Sequence, residues 1–165
     1  MKRKTIPMAT TTKSAATIGR LCEGEVNELR HAYDPARTID SYLSAIAGKT
    51  AALFATACRV GGIVGELPRE RIDQLTDFGH HYGMAFQIVD DVLDVIATDE
   101  QLGKPAGHDI AEGIYNLPVL HALEELGGDL GTLLGGPIDD EEDLDLPYWA
   151  GVIPVRSVRG EPVST

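Results

Sequence analysis

The sequence predicts an all-α fold, on three observations. Between Ile72 and Ile96, apolar residues return at helical spacing. Turned by about 100° per residue, Ile72, Leu75, Phe78, Tyr82, Phe86, Val89, Leu93 and Ile96 form one stripe. A second stripe of the same period, Ile39, Tyr42, Leu43, Ile46, Thr50, Leu53, Phe54, Ala57, Val60, Gly61 and Val64, runs over residues 39–65. Shorter helical faces flank these two, with Ile18, Leu21, Cys22 and Leu29 before them and Val119, Leu120 and Leu123 after.

A chain of 165 residues with 43% apolar content is sufficient for one globular domain with a modest core. The formal charge is −12, and the run DDEEDLD at residues 139–145 supplies six of the acids, leaving −6 elsewhere. No basic stripe exists, which excludes nucleic acid as a partner. Two cysteines with no CxxC spacing suit a reducing cytosol, so a cytoplasmic protein is expected. No apolar run reaches the ~18 residues of a membrane span. The basic start MKRK lacks the apolar stretch of a secretory signal.

Residues 1–13, basic and then Thr-rich, are expected to be a disordered start, with a first helix over residues 14–31. That helix contains Glu23-Gly24-Glu25. A mid-helix glycine costs about 1 kcal/mol against alanine, so Gly24 calls for a packing reason. The two glutamates read equally well as an exposed acidic face. Asp34-Pro35 breaks the helix, and Thr38 is placed to cap the second one, over residues 39–65. Lys49 lies on the edge of its apolar stripe beside Thr50, where a lysine ordinarily reaches past apolar neighbours to water. Ala51, Ala52, Ala55, Ala57, Gly61 and Gly62 let neighbouring helices approach closely. Pro68 then stands near the start of the long third helix.

In that third helix the side opposite the stripe is polar before Gly79, with Asp73, Gln74 and Asp77. After Gly83 it turns apolar, with Met84, Ile88, Val92 and Val95, so the second half is expected to be buried. One polar strip survives there: Gly83, Gln87, Asp90, Asp91 and Asp94, three or four residues apart. No Lys or Arg occurs between Ile72 and Gln101 to balance three carboxylates. Buried unpaired anions cost several kcal/mol each, so a cation is expected on them. A hard divalent ion with oxygen ligands, Mg²⁺ above all, suits the set, and Mg²⁺ commonly shares its shell with a phosphate. The plain alternative is a solvated acidic patch. The loop that follows, QLGKPAGHD at residues 101–109, has glycines that let backbone N–H groups approach phosphate, and Lys104 adds a point charge. Asn116 is expected to cap a fourth helix running through residue 126. From residue 127 the chain is a Gly-rich, acidic linker and then an irregular tail to residue 165. The five histidines have no metal-binding spacing and are expected to be surface or packing residues.

FQIVDDVLD at residues 86–94, followed by LGKPAGHDIAEGIYNLPVLHAL, resembles the trans-prenyltransferases, or polyprenyl synthetases, whose second aspartate-rich motif reads FQxxDDxxD. EGE at residues 23–25 and Lys49-Thr50 match two further family elements. The resemblance implies an antiparallel helical bundle of the isoprenoid synthase type. It implies transfer of an allylic prenyl group to isopentenyl diphosphate with Mg²⁺, in isoprenoid biosynthesis. It implies Asp90, Asp91 and Asp94 as metal-binding and catalytic residues, and Lys49, Thr50, Gln87 and Lys104 as the grip on diphosphate. Ile114 departs from a position where many members carry a further lysine.

The resemblance covers residues 15–143 and corresponds to the family's C-terminal half, so a 14–126 half-domain is expected. The first aspartate-rich motif and the basic site for isopentenyl diphosphate do not occur in the chain. A truncated prenyltransferase, inactive by itself, is therefore expected. The alternatives are a non-catalytic partner or regulatory subunit of a complete synthase, or a damaged product. Apolar stripes lacking their usual cover imply a homo- or hetero-oligomer.

Overall fold

Helix follows helix along the chain, and no strand occurs among the described residues, which in this computed structural model are 8–97, 100 and 107–136. The first helix, α1, is Met8–Arg30. Residues 8–13, expected to belong to a disordered start, are thus helical, and residues 1–7 lie outside the described residues. α2 is Ile39–Ile46. Thr38 caps it, its Oγ1 accepting the Ser41 N–H at 3.1 Å. The second helix does not continue regularly to residue 65. Ala47–Ala51 form a π turn, in which the Ala52 N–H reaches back to the Ala47 carbonyl, and α3, Ala52–Val64, resumes the α-helical winding.

α3 ends in a paired closure. Glu66 N–H bonds Ile63 O at 3.0 Å and Leu67 N–H bonds Gly62 O at 3.1 Å. Glu66 sits at φ 56°, the left-handed region, at the position glycine usually takes. Pro68 O then accepts the Arg71 and Ile72 N–H groups, and α4, Arg69–Ile96, begins. Three short helices follow: α5 His108–Ala111, α6 Leu117–Leu126 and α7 Gly128–Leu133. α7 lies inside the stretch expected to be a linker, while residues 137–165 of the expected tail lie outside the described residues. No helix among the described residues is long and apolar enough to cross a membrane.

The described residues gather into two units, one drawn from residues 8–30 and 43–88, the other from residues 31–42 and the described residues from 89 to 136. In the first unit α1 runs antiparallel to α3, from Thr17 Oγ1 against Thr56 Oγ1 at 2.7 Å to the π turn. There the backbones touch. A Cβ on Gly24 would stand 2.6 Å from Lys49 N, and one on Gly48 2.9 Å from Arg20 O. This is the packing reason Gly24 called for. α4 returns antiparallel along α3. A Cβ on Gly79 would lie 2.6 Å from Phe54 O, and one on Gly83 2.7 Å from Ala51 Cα. Arg59 ties the far end, bonding Asp73 at 2.8 Å and Thr76 at 3.2 Å, and its guanidinium holds the Asp73 carboxyl below the usual carboxylate range.

This approach decides which side of α4 is covered. The expected burial of the second half of α4 is corrected here, because Phe86 is 50% exposed, and before it Phe78 is 61% exposed and Tyr82 51%. Val89, Leu93 and Ile96 are exposed as well. The glycine side of α4 sits against α3 because only glycines permit contact that close, and the aromatic side therefore faces out.

The second unit has Tyr42, Val95, Ile110, Tyr115, Val119, Leu120, Ala122, Leu130 and Leu134 as its buried apolar residues. The Tyr115 hydroxyl donates to Leu134 O, and burial raises its pKa to about 12, so it remains a donor. Gly113, at φ 73°, turns the chain after α5. A Cβ there would stand 2.6 Å from the ring of Tyr33, whose N–H bonds Gly113 O at 2.9 Å.

Candidate functional site

The residues expected to do chemistry fall into two clusters, one in each unit. In the first, the π turn carries Lys49 and Thr50. Such wide turns recur at functional sites because they re-aim successive side chains within a helix. Thr50 Oγ1 donates to Gln87 Oε1 at 2.7 Å, so two residues singled out in the sequence, 37 apart, meet directly. Lys49 Nζ donates to both carboxylate oxygens of Glu28, at 2.8 and 2.6 Å. The Glu28 side chain is 6% exposed and that of Lys49 20%, so the acid lies within the unit and the ammonium nearer its surface. Beside the pair Thr50–Gln87, Phe54 packs on Phe86 and Tyr82 with ring centres 5.4 and 5.3 Å apart.

Sequence reasoning missed Glu28, although a signal existed. Gly24 and Glu28 are one helical turn apart on the same face of α1. Where Gly24 lets the π turn approach, Glu28 comes next along the contact. A cavity of about 670 Å³ in this unit is lined by Thr17, Arg20, Thr56, Arg59, Asp73 and His80 among others, and by none of Lys49, Thr50 and Gln87.

The second cluster holds the carboxylates. Asp90 is exposed, whereas Asp91 and Asp94 are 5% and 3% exposed. The Tyr42 hydroxyl donates to Asp91 Oδ2 at 2.6 Å. Asn116, expected to cap α6, stands at the cap position but makes no side-chain cap bond. Its Nδ2 instead donates to Asp91 O at 3.4 Å. Arg37 lies with its guanidinium carbon 5.7 Å from the Tyr42 ring centre and donates to Tyr115 O at 3.1 Å. Asp94 accepts the Asp109 N–H at 3.3 Å on Oδ2, and its carbonyl accepts the Gly107 N–H at 2.8 Å. The glycine-containing loop thus returns through backbone N–H groups onto Asp94. Lys104 lies outside the described residues.

The three carboxylates consequently differ in environment, unlike the single buried strip expected. Neighbours along a helix point about 100° apart, so Asp91 turns to Tyr42 while Asp90 turns to solvent. Among the described residues, no three His, Cys, Asp or Glu side chains are gathered closely enough to hold a metal ion. By donor chemistry a hard divalent cation fits Asp90 as an accessible oxygen ligand. Asp91 and Asp94 are engaged by a hydroxyl and a backbone N–H.

The Tyr42–Asp91 bond is buried, and its loss leaves a buried oxygen short of a donor, so Tyr42→Phe is expected to lower stability by about 1–3 kcal/mol. Urea unfolding of the two chains measures this, and an unchanged midpoint would refute the bond.

Comparison with known proteins extends this geometry. The sequence matches the Polyprenyl synthetase family model over residues 3–143. It is 43% identical over 130 residues to heptaprenyl diphosphate synthase component 2 of Geobacillus stearothermophilus, covering 79% of this chain and 41% of that protein. The heptaprenyl diphosphate synthase of Staphylococcus aureus superposes with a TM-score of 0.81 at 27% identity, covering 92% of this chain and 50% of the other. A polyprenyl synthase of Caulobacter crescentus, complexed with calcium and isoprenyl diphosphate, gives 0.81 at 32% identity, covering 89% of this chain and 45% of that one. The chain thus spans about half the length of these relatives, or less.

Proposed function

The chain belongs to the polyprenyl synthetase family, and on that premise we propose that it serves transfer of an allylic prenyl group to isopentenyl diphosphate with Mg²⁺, in isoprenoid biosynthesis. The observation that carries this reading is one helix, Arg69–Ile96, bearing both the Gln87 that meets Thr50 and the exposed Asp90. Asp90 is the principal ligand of the metal, with Asp91 and Asp94 assisting directly or through water. The calcium and isoprenyl diphosphate of the Caulobacter relative support a divalent ion at work beside a diphosphate. When bound, Mg²⁺ draws negative charge from the diphosphate leaving group. Lys49, Thr50, Gln87 and Lys104 bind and orient that diphosphate, the hydroxyl and amide by hydrogen bonds and the lysines through their ammonium N–H groups. The reading includes a cytoplasmic setting, supported by two unpaired cysteines, Cys22 and Cys58.

Titration with Mg²⁺ and a non-hydrolysable allylic diphosphate tests the assignment. Asp90→Asn is expected to weaken binding at least tenfold, about 1.4 kcal/mol. Equal affinity of the two chains sinks the metal role.

A second reading, a partner or regulatory subunit within a hetero-oligomer, is favoured by the Geobacillus relative, which is named as one component of a synthase. Stimulation of a complete synthase by this chain, undiminished by Asp90→Asn, would decide for it.

A further inference from the structure

We infer that Glu28 is the positioning residue of Lys49, a built-in counter-anion that fixes the ammonium for diphosphate and, by cancelling its charge, holds diphosphate affinity down. The inference rests on the reading that Lys49 meets diphosphate. It starts from the inequality of the pair: the Glu28 side chain is 6% exposed and that of Lys49 20%. An anion arriving from solvent therefore reaches the ammonium and not the carboxylate. An ammonium has three N–H donors. Glu28 engages it through both oxygens, at 2.8 and 2.6 Å, and leaves donor capacity on the side away from the carboxylate.

The pair is also held from behind. Lys49 belongs to the π turn, whose backbone N would stand 2.6 Å from a Cβ on Gly24, one helical turn before Glu28. The backbones that carry the two side chains are thereby held at a fixed distance. Displacing Glu28 altogether would leave a buried carboxylate without its cation, which is strongly unfavourable. An incoming diphosphate accordingly shares Lys49 with Glu28 rather than taking it. It meets a neutral pair, with a fixed donor in place of a free positive charge.

Glu28→Gln separates these two effects, because glutamine keeps an acceptor for the ammonium and removes the negative charge. Binding of inorganic diphosphate at fixed Mg²⁺ to the full chain is expected to tighten roughly three- to tenfold in the variant and to become more salt-dependent. Loss of a merely structural contact would instead weaken binding. Lys49→Met tests the underlying reading separately: if diphosphate affinity is unchanged, Lys49 is not a diphosphate residue, whatever Glu28 does. Given that Lys49→Met weakens binding, the tightening by Glu28→Gln must vanish in the double variant. Tightening that persists there overturns the mechanism through Lys49, and unchanged or weaker binding in Glu28→Gln alone overturns the counter-anion role. If Glu28→Gln loses its helical circular dichroism, the carboxylate carbon signal of Glu28 in the unaltered chain supplies the reading. It must shift on adding diphosphate, and no shift overturns the proposal.

Discussion

Replacing Gly79 with leucine is expected to destroy the packing of α3 against α4, at a loss of about 3 kcal/mol or more. The first side-chain atom would stand 2.6 Å from Phe54 O and 2.9 Å from both Ala55 Cα and Cys58 Sγ. Two of these are backbone atoms, which no rotamer change can move, so the whole helix must shift. Stability of an ordinary domain is only 5–15 kcal/mol, and a displaced helix also parts Thr50 from Gln87. Gly61 is the control, since a Cβ there meets nothing within 4 Å. Gly61→Ala should leave stability unchanged or raise it by up to about 1 kcal/mol. Thermal and urea unfolding followed by circular dichroism distinguish the pair. Equal stabilities for Gly79→Leu and Gly61→Ala would show that the two helices do not meet through their glycines.

That contact also explains why the sequence was legible in some respects and misleading in others. Helical periodicity located α2, α3 and α4, because an apolar stripe of period 3.6 is what a helix needs to bury a face. It did not say which face packs. The stripe from Phe78 to Ile96 has the residues of a core, yet Gly79 and Gly83 bring α4 to α3 by their lack of side chains. Small residues leave no mark on a hydrophobicity pattern, so periodicity alone does not single out the glycine face of α4 as the packed one.

The candidate site divides in the same way. Thr50 and Gln87 meet across the two helices, a pairing to which only the family resemblance pointed, since spacing within one helix says nothing about its neighbour. Spacing put Asp90, Asp91 and Asp94 on one polar strip. Their separate environments depend on Tyr42 and on the backbone of Asp109, both distant in sequence. The π turn at Lys49 is equally beyond a periodic reading, which assumes uniform winding. Asn116 follows the same logic: its type suits a helix cap, but in the folded chain its amide donates to the carbonyl of Asp91.

The exposed aromatic side of the first unit leads to the other large effect. Leu53, Phe78, Tyr82 and Phe86 are all exposed, while Phe54 packs tilted against Tyr82 and Phe86, and Phe78 lies 6.0 Å from Tyr82 between ring centres. Rings in mutual contact make a continuous apolar surface, which drives association more strongly than scattered residues do. The purified chain is expected to self-associate and to bind a hydrophobic dye. Changing Phe78, Tyr82 and Phe86 together to glutamine removes roughly 1 kcal/mol of burial at each position. The dissociation constant of the oligomer should then rise by about a hundredfold. Asp90→Asn, on an exposed polar position of the same helix, should leave association as it was. Sedimentation over a concentration series reads both outcomes. A chain that stays monomeric and dye-free throughout would mean that these rings are covered in solution by a packing of α3 and α4 different from the one described.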